Sequence, residues 1–156
     1  MNDEDRQFIR KAIQIAQRSK QNGNLPFACI LVDQEGNVVL EGENSVITDK
    51  DSLAHAEINL IRKASGKFEK EFLNQCTIYT SGEPCVMCAA AIFWGGIGRL
   101  VYGLSKDGFY QIAGKEDGAT VLDIPCREIL NRGGRDVKVE GPLLEDEARV
   151  VHQGFW

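Results

Sequence analysis

The segment Cys76–Gly103 reads CTIYTSGEPCVMCAAAIFWGGIGRLVYG, and its pattern decides the fold. Cys76–Thr80 is a short apolar run of the kind that forms a buried strand. Cys85–Trp94 is apolar nearly all round, which predicts a helix enclosed by the rest of the protein, and the Gly95-Gly96 pair ends it. Arg99–Gly103 follows as another apolar run. The segment therefore predicts a strand, a buried helix and a second strand in succession.

The residues before this segment predict two helices and a hairpin. From Glu4 to about Lys20, apolar residues recur at spacings of three and four, as in an amphipathic helix. Phe27–Asp33 and Val38–Asn44 are apolar runs joined by a polar turn, which is typical of a β-hairpin. Leu53–Ser65 predicts a mostly buried helix with a glycine stop just past its end.

The residues after this segment give weaker signals. Ser105–Gly118 predicts an irregular loop, Cys126–Leu130 a short helix, Val137–Val139 a strand and Glu145–His152 a final helix. Taken with the earlier elements, the order predicts an α/β fold, in which helices cover both faces of a mixed sheet of about five strands. The expected architecture is a three-layer α/β/α sandwich.

Composition limits the class of protein. With 156 residues, 43% hydrophobic and 26% charged, the chain has the size and balance of a single globular domain spanning 1–156. No apolar run approaches the ~20 residues needed to cross a bilayer. The acidic start, Met1–Asp5, differs from the basic start of a secretory signal. We therefore expect a cytoplasmic protein without membrane contact.

Net charge and cysteine content limit the kinds of molecule that this chain is expected to bind. The net charge of -5 lacks the basic surface that phosphate backbones require, so a small molecule is a better partner than nucleic acid. Five cysteines are an odd number, and no export signal precedes them, which argues against a disulfide framework. Thiol chemistry or metal binding is the expected use of these cysteines.

Two short motifs carry the chemistry. His55-Ala56-Glu57 lies in one predicted buried helix, and Pro84-Cys85-Val86-Met87-Cys88 opens the other. Cys85 and Cys88 are three residues apart at a helix start, so both sulfurs can face one point, and the helix dipole favours their thiolate forms. His55 would supply a third ligand to a tetrahedral zinc ion and leave one position open to water. We expect one catalytic zinc ion per subunit.

Glu57 has a role beside such an ion. Zinc lowers the pKa of bound water to roughly 7, and the Glu57 carboxylate could move protons from that water to a substrate nitrogen and a departing amine. Cys-x-x-Cys pairs also form structural zinc sites and redox centres. A structural site would need a fourth ligand, however. The other histidine is His152 near the C-terminus, and the other cysteines, Cys29, Cys76 and Cys126, lie singly in apolar surroundings, as core residues do.

Together with Pro26-Phe27-Ala28 and Gly42-Glu43-Asn44, these motifs resemble the cytidine deaminase-like superfamily, whose signature is His-x-Glu followed by Pro-Cys-x-x-Cys. The likeness runs from Gly23 to about Gly103 and is greatest to bacterial guanine deaminases. It implies zinc-dependent hydrolytic deamination of a nucleobase or nucleoside, with guanine preferred as the substrate. Deamination of cytosine or another pyrimidine is the first alternative. A tRNA-editing enzyme or a non-catalytic partner subunit is a further alternative.

The resemblance also implies substrate contacts and an assembly. The contacts are hydrogen bonds from Asn44 and the Ala56 backbone amide, aromatic walls from Phe27 and Trp94, proton transfer by Asp107 and closure by Trp156. As ordinary structure, Asn44 would instead be a turn residue at a strand end, Phe27 and Trp94 would be core, and the hydrophobic tail with Trp156 would pack on a dimer partner. The family further implies a homodimer, in some relatives with the C-terminal segment exchanged between subunits.

Overall fold

A computed structural model describes residues 1–115 and 121–156. Its elements, in chain order, are α1 (Asp3–Gln21), β1 (Ala28–Val32), β2 (Val38–Glu43), α2 (Val46–Asp49), α3 (Ala56–Lys67), α4 (Lys70–Asn74), β3 (Thr77–Gly82), α5 (Val86–Trp94), β4 (Arg99–Leu104), α6 (Lys106–Ala113), α7 (Cys126–Leu130), β5 (Lys138–Glu140) and α8 (Glu145–Val150). Within these ranges, every helix is too short or too polar to cross a membrane.

The strands form one mixed sheet in the order β2-β1-β3-β4-β5. β1 pairs antiparallel with both β2 and β3, while β4 pairs parallel with β3 and β5. The parallel pair β3 and β4 is connected through α5, because parallel neighbours need a crossover connection. The mixed sheet of five strands predicted from the sequence is confirmed.

Side chains alternate between two cores, one on each face of the sheet. Along each central strand, neighbouring residues point to opposite faces. Leu31, Ile78 and Leu100 pack in the core on the α3 and α5 side, and Ile30, Tyr79 and Val101 pack in the core on the α1 side. All six side chains are buried. This arrangement confirms the three-layer α/β/α sandwich.

The expected irregular loop at Ser105–Gly118 is wrong over most of its length, since Lys106–Ala113 forms α6. Ser105 begins this helix, and its hydroxyl oxygen accepts a hydrogen bond from the Gly108 amide at 3.0 Å. Glu145 accepts hydrogen bonds from both the amide and the hydroxyl of Ser105. The partner at Glu145 is distant in sequence, which explains why local pattern failed to predict the helix. Residues 116–118 of the expected loop lie outside the described ranges.

Smaller differences occur at element ends. The sequence did not predict the short helices α2 and α4. Gly66 lies inside α3, which continues to Lys67, so this glycine is not the stop that its position indicated. The Phe68 amide closes the helix by bonding to the Ala64 carbonyl at 2.9 Å, and Phe68 then packs on Phe72 of α4. The helix therefore ends at the residue that makes this aromatic contact.

Asp5 joins α1 to the centre of the sheet. Its buried carboxylate accepts hydrogen bonds from the Tyr79 hydroxyl at 2.6 Å and from the Arg99 guanidinium at 3.0 and 3.1 Å. It also accepts the Asn2 amide at 3.0 Å as part of the N-terminal cap of α1. Burial alone would raise the pKa of Asp5, but the hydrogen bonds from Arg99 and Tyr79 outweigh burial and lower the pKa to about 2.

This network predicts how stability depends on pH. Because the pKa of Asp5 is lowered in the folded state, its contribution is complete above pH 4 and is lost as the pH falls towards 2. Asp5→Asn should reduce the free energy of unfolding at pH 7 by about 1–2 kcal/mol, since a charge-assisted hydrogen-bond network is broken. Urea denaturation of both proteins at pH 7 and pH 3 measures this. Equal differences at the two pH values would contradict it.

Candidate active site

The two motifs of the sequence meet at the N-terminal ends of α3 and α5. His55 immediately precedes α3, Cys85 immediately precedes α5, and Cys88 lies in the first turn of α5. His55 Nδ1 is 3.6 Å from the Cys85 Sγ and 3.4 Å from the Cys88 Sγ. All three candidate ligand atoms lie within 4.8 Å of one another. The sheet brings the two helices together on one face, so residues 30 and 33 apart in the chain converge.

The donor set and its spacing fit zinc. Around a tetrahedral ion with Zn–N of about 2.0 Å and Zn–S of about 2.3 Å, neighbouring ligand atoms stand roughly 3.5–4 Å apart. The distances from His55 to Cys85 and Cys88 are close to that spacing. Among the described residues the group contains three protein ligands. A three-ligand set of this kind leaves a coordination position for water or substrate, as in catalytic zinc sites.

The two thiols are strongly coupled. Hydrogen bonding from the Cys88 thiol, and also from His55, lowers the pKa of Cys85 to about 4 even though burial opposes this. The pKa of Cys88 is raised, because its proton is held by the Cys85 sulfur and because the thiol is buried. The N-terminal end of α5 adds a favourable field for negative sulfur. The arrangement therefore favours the deprotonated sulfur that a zinc ligand requires.

Glu57 lies one residue into α3, beside the three candidate ligands. Its side chain is buried, yet it contributes to the wall of the adjoining cavity. Burial raises the pKa of Glu57 to about 7, although hydrogen bonding from Cys88 and the charge of His55 act in the opposite direction. A carboxyl group with a pKa near neutrality can both accept and donate a proton.

A cavity of about 420 Å³ opens next to this cluster. His55, Glu57 and Cys85 stand on its wall together with Phe27 and Asn44. The rest of the described wall is mostly apolar or aromatic and includes Leu25, Leu104, Phe109, Tyr110, Val121 and Leu122. Ligand pockets are commonly of this size and combine apolar walls with a few polar groups. The cavity suits a small, flat molecule.

Asn44 and Phe27 both lie where the motifs indicated. The Asn44 side-chain oxygen accepts the Val46 amide at 3.0 Å, and its backbone is held by Phe27 and by the Ser19 hydroxyl. With the oxygen occupied, the NH₂ group of Asn44 is the part of the amide left for the cavity. Ala56 is fully buried, and its backbone amide lies in the first turn of α3, where helical amides have no partner within the helix.

Trp94 and Asp107 are not among the described residues that line this cavity. Trp94 is the last residue of α5, roughly 13 Å along the helix from Cys85, and 73% of its side chain is exposed. Asp107 lies in the first turn of α6 and faces a neighbouring depression beside Asp123. On a helix, residues two or three positions further along point elsewhere, so Phe109 and Tyr110 reach the cavity instead of Asp107.

Trp156 packs against the cavity wall from its own chain. Its ring centroid is 6.1 Å from that of Phe27 and 5.2 Å from that of Phe109. The indole N–H donates a hydrogen bond to His152 Nδ1 at 3.1 Å. The C-terminal aromatic ring therefore lies behind two rings that face the cavity.

Several described residues of the wall were not predicted from the sequence, and Glu83 and Phe109 are two of them. Glu83, next to the Pro84-Cys85 motif, accepts the Lys106 amide at 3.0 Å with one oxygen and the Cys126 amide at 2.9 Å with the other. It thus fixes the starts of α6 and α7 beside the cavity. Phe109 is the second contributor. Both act through contacts distant in sequence, and Phe109 would have been found only if α6 had been predicted as a helix.

Comparison with known proteins gives the family. Residues 2–104 match the cytidine and deoxycytidylate deaminase zinc-binding region. A probable cytosine deaminase of Schizosaccharomyces pombe is 40% identical over 100% of this chain and 94% of its own length. A tRNA-specific adenosine deaminase of Haemophilus influenzae is 38% identical over 65% of this chain and 58% of its own. A solved guanine deaminase from Nitrosomonas europaea superimposes with a TM-score of 0.74 at 26% identity, covering 93% of this chain and 80% of that one.

The fold and the cluster of one histidine and two cysteines define a zinc-dependent hydrolytic deaminase. The chain belongs to the cytidine and deoxycytidylate deaminase family, and zinc is its cofactor. The resemblance read from the motifs is confirmed.

Removing one thiolate should remove the metal. Cys88→Ser is expected to lower zinc affinity at least tenfold, because the hydroxyl is a poor zinc ligand and the N-terminal end of α5 then offers one sulfur. Zinc content after dialysis against a weak chelator, measured by atomic emission, tests this. Cys76→Ala is the matched control, since Cys76 is a buried thiol outside the cluster. One equivalent of zinc retained by Cys88→Ser would contradict the assignment.

Proposed function

We propose that this deaminase acts on a free nucleobase and that guanine is its preferred substrate, hydrolysed to xanthine and ammonia. The observation that carries the proposal is the cavity itself, where aromatic and apolar walls adjoin His55, Glu57 and Cys85. The face of Phe27 offers a stacking surface for a flat heterocycle. The NH₂ group of Asn44 offers a hydrogen bond to a ring acceptor.

The proposed roles follow from position. His55, Cys85 and Cys88 hold the zinc ion, which, when bound, supplies a Lewis acid that makes water nucleophilic near neutral pH. Glu57 takes a proton from the attacking water and delivers it to a ring nitrogen. It then takes the second proton from the oxygen that has added to the ring carbon and gives it to the departing amine, so that the C–N bond breaks, ammonia leaves and the oxygen stays on the carbon as a carbonyl. The raised pKa of Glu57 supports this use of one carboxyl group as both base and acid.

The charge of the cavity wall supports a free base over a polynucleotide. Among the described lining residues, Lys106 is the basic side chain other than His55, and it already forms an ion pair with Asp123. Binding a polynucleotide requires several cations to neutralise phosphates. The net charge of -5 points the same way. An editing enzyme for tRNA is therefore the less favoured reading, and the presence of Glu57 disfavours a non-catalytic subunit.

Guanine is favoured by the agreement in shape with the guanine deaminase of Nitrosomonas europaea, which extends over 93% of the chain. A volume of about 420 Å³ also has room for a two-ring base. Cytosine is the second candidate. The observation that favours it is the match in sequence to the probable cytosine deaminase of Schizosaccharomyces pombe along the whole chain.

We further propose a homodimer, as the family resemblance implies. Ile47, Leu53 and Trp94 are large apolar side chains that are each more than half exposed. Exposed apolar side chains of this size are typical of surfaces that a second subunit covers when they lie together. The role of Trp94 is then in assembly and not in the substrate pocket. A dimer formed through these residues would not require exchange of the C-terminal tail, which packs on its own chain.

A substrate panel tests the reaction. Ammonia release by zinc-loaded protein should be fastest with guanine when guanine, guanosine, adenine, cytosine and cytidine are compared at equal concentration. The physical reason is that the enclosed aromatic walls accept a free flat base, while a ribose adds bulk. Faster turnover of cytosine would transfer the preference to the second candidate. No turnover of any free base, with activity on a tRNA anticodon stem, would overturn the proposal.

Glu57→Gln tests the proton transfer. The amide keeps the shape of the side chain but cannot accept a proton, so turnover should fall by about 10²–10⁴-fold while bound zinc and the thermal unfolding midpoint stay unchanged. Glu35→Gln, in the exposed hairpin turn, is the matched control and should retain wild-type turnover. Activity of Glu57→Gln within tenfold of wild type would exclude the proposed role.

A further inference from the structure

The C-terminal tail is held by a hydrogen bond between two aromatic side chains. His152 follows α8 and is fully buried. Its Nδ1 accepts the indole N–H of Trp156 at 3.1 Å, and the two rings lie nearly parallel, 19° apart. Trp156 itself is about half exposed. A buried imidazole therefore anchors a ring that would otherwise be free at the surface.

The anchored pair contacts the cavity wall through Phe27 and Phe109. The His152 ring centroid is 5.2 Å from Phe27 and 5.3 Å from Phe109. Trp156 contacts the same two rings. Phe27 and Phe109 line the cavity, whereas His152 and Trp156 lie behind them. We call these four residues the aromatic cluster. Its packing sets the position of the wall that faces the substrate.

The hydrogen bond specifies the protonation state of His152. Because Nδ1 accepts a hydrogen bond from the Trp156 indole N–H, the imidazole proton resides on Nε2 in the neutral ring. Nε2 is buried and has no partner among residues 1–115 and 121–156. A second proton on Nδ1 would turn this nitrogen into a donor that faces the indole N–H, which is also a donor, and the hydrogen bond would be lost. It would also place a positive charge among apolar rings, which is costly.

The surroundings reinforce the neutral form. Burial lowers the pKa of His152 to about 4, and the positive charge of Lys20 acts in the same direction. Lys20, on α1, donates a hydrogen bond to the Val151 carbonyl at 3.2 Å and so stays near the imidazole. The other groups that face His152 are the uncharged rings of Phe27, which precedes β1, of Phe109 on α6 and of Trp156.

We propose that neutral His152 is a positioning residue of the deaminase, which anchors Trp156 behind Phe27 and Phe109, and that acid releases this C-terminal anchor. The contact between His152 and Trp156 does not depend on which substrate the enzyme uses. Its effect on substrate binding rests on the proposed function, because Phe27 and Phe109 are there assigned to the base. His152 acts through the wall and does not touch the reacting atoms.

The direction of the pH effect follows from linkage. When the tail is undocked, His152 is solvated and has an ordinary pKa of 6.5; when it is docked, the pKa is about 4. Docking is therefore at full strength above pH 7 and weakens as the pH falls from 6.5 towards 4. Between pH 7.5 and pH 5.5 the docking equilibrium should weaken about tenfold, because one proton binds to the undocked form alone.

Hydrogen exchange of the two indole N–H groups measures docking directly in zinc-loaded full-length protein. The chain has two tryptophans, and Trp94→Phe assigns their signals. Because Trp94 lies in the proposed dimer surface, free N-acetyltryptophanamide at the same pH is the reference for intrinsic exchange. In the wild type, the ratio of the Trp156 exchange rate to that of the reference should rise about tenfold from pH 7.5 to pH 5.5.

Two substitutions of His152 separate the hydrogen bond from packing. His152→Asn keeps an acceptor oxygen near the position of Nδ1 but cannot titrate, so its exchange ratio should stay low and flat with pH. His152→Leu fills the space without an acceptor, and its ratio should be high at every pH. A wild-type ratio that does not change with pH, or a His152→Leu ratio equal to that of the wild type, would overturn the proposal.

Kinetics with the best substrate of the panel test the effect on the wall. Trp156→Phe changes the last residue of the chain and keeps an aromatic ring without the donor. Both it and His152→Leu should raise KM by about 3–10-fold, the value of one hydrogen bond, and leave kcat within twofold. The double variant should equal either single variant, and His152→Asn should retain the wild-type KM. Additive effects on KM, or a loss confined to kcat, would contradict a positioning role.

The exchange experiment needs no substrate. If no base is turned over but the ratio changes with pH as expected, the proposed function fails and the anchor stands. If guanine is turned over and the ratio is flat in the wild type, the anchor fails and the function stands.

Discussion

The active site depends on two helix N-termini being brought to one point. α3 presents His55 and Glu57, and α5 presents Cys85 and Cys88. The helices must lie close to the sheet and to each other for the side chains to meet. Two glycines allow this. A Cβ at Gly42 would come within 2.5 Å of the Ala56 carbonyl, and one at Gly95 within 2.9 Å of Ile61 on α3. Larger residues at either position would push the helices apart and separate the ligands.

The same convergence shapes the electrostatics of the site. Helical amides without partners point towards the thiols and so favour the thiolate forms that zinc requires. Glu57, by contrast, is buried away from solvent, and burial holds its pKa near neutrality. The N-terminal end of α5 therefore stabilises negative charge on sulfur. Burial, in contrast, favours the protonated form of the Glu57 carboxyl group.

The sequence predicted the elements whose interacting residues are close together in the chain, and it failed where the interacting residues are far apart in the chain. The strand, buried helix and strand within Cys76–Gly103 were recognised because their signals are local. The convergence of His55 with Cys85 and Cys88 was predicted from two compact motifs. That Asp107 lies in a helix was not indicated by the sequence, because the contact of Ser105 with Glu145, which starts α6, spans 40 residues. The distance of Trp94 from the ligands was not indicated either, because an aromatic residue in a helix that carries two ligands does not reveal how far it lies from them.

Glu83 connects the wall of the cavity to the segment that carries a zinc ligand. This single carboxylate, adjacent to the Pro84-Cys85 motif, receives the starts of both α6 and α7. The far wall of the cavity is thereby tied to the same short segment that carries a zinc ligand. A change at Glu83 would therefore disturb the wall of the cavity and the segment that carries a zinc ligand together.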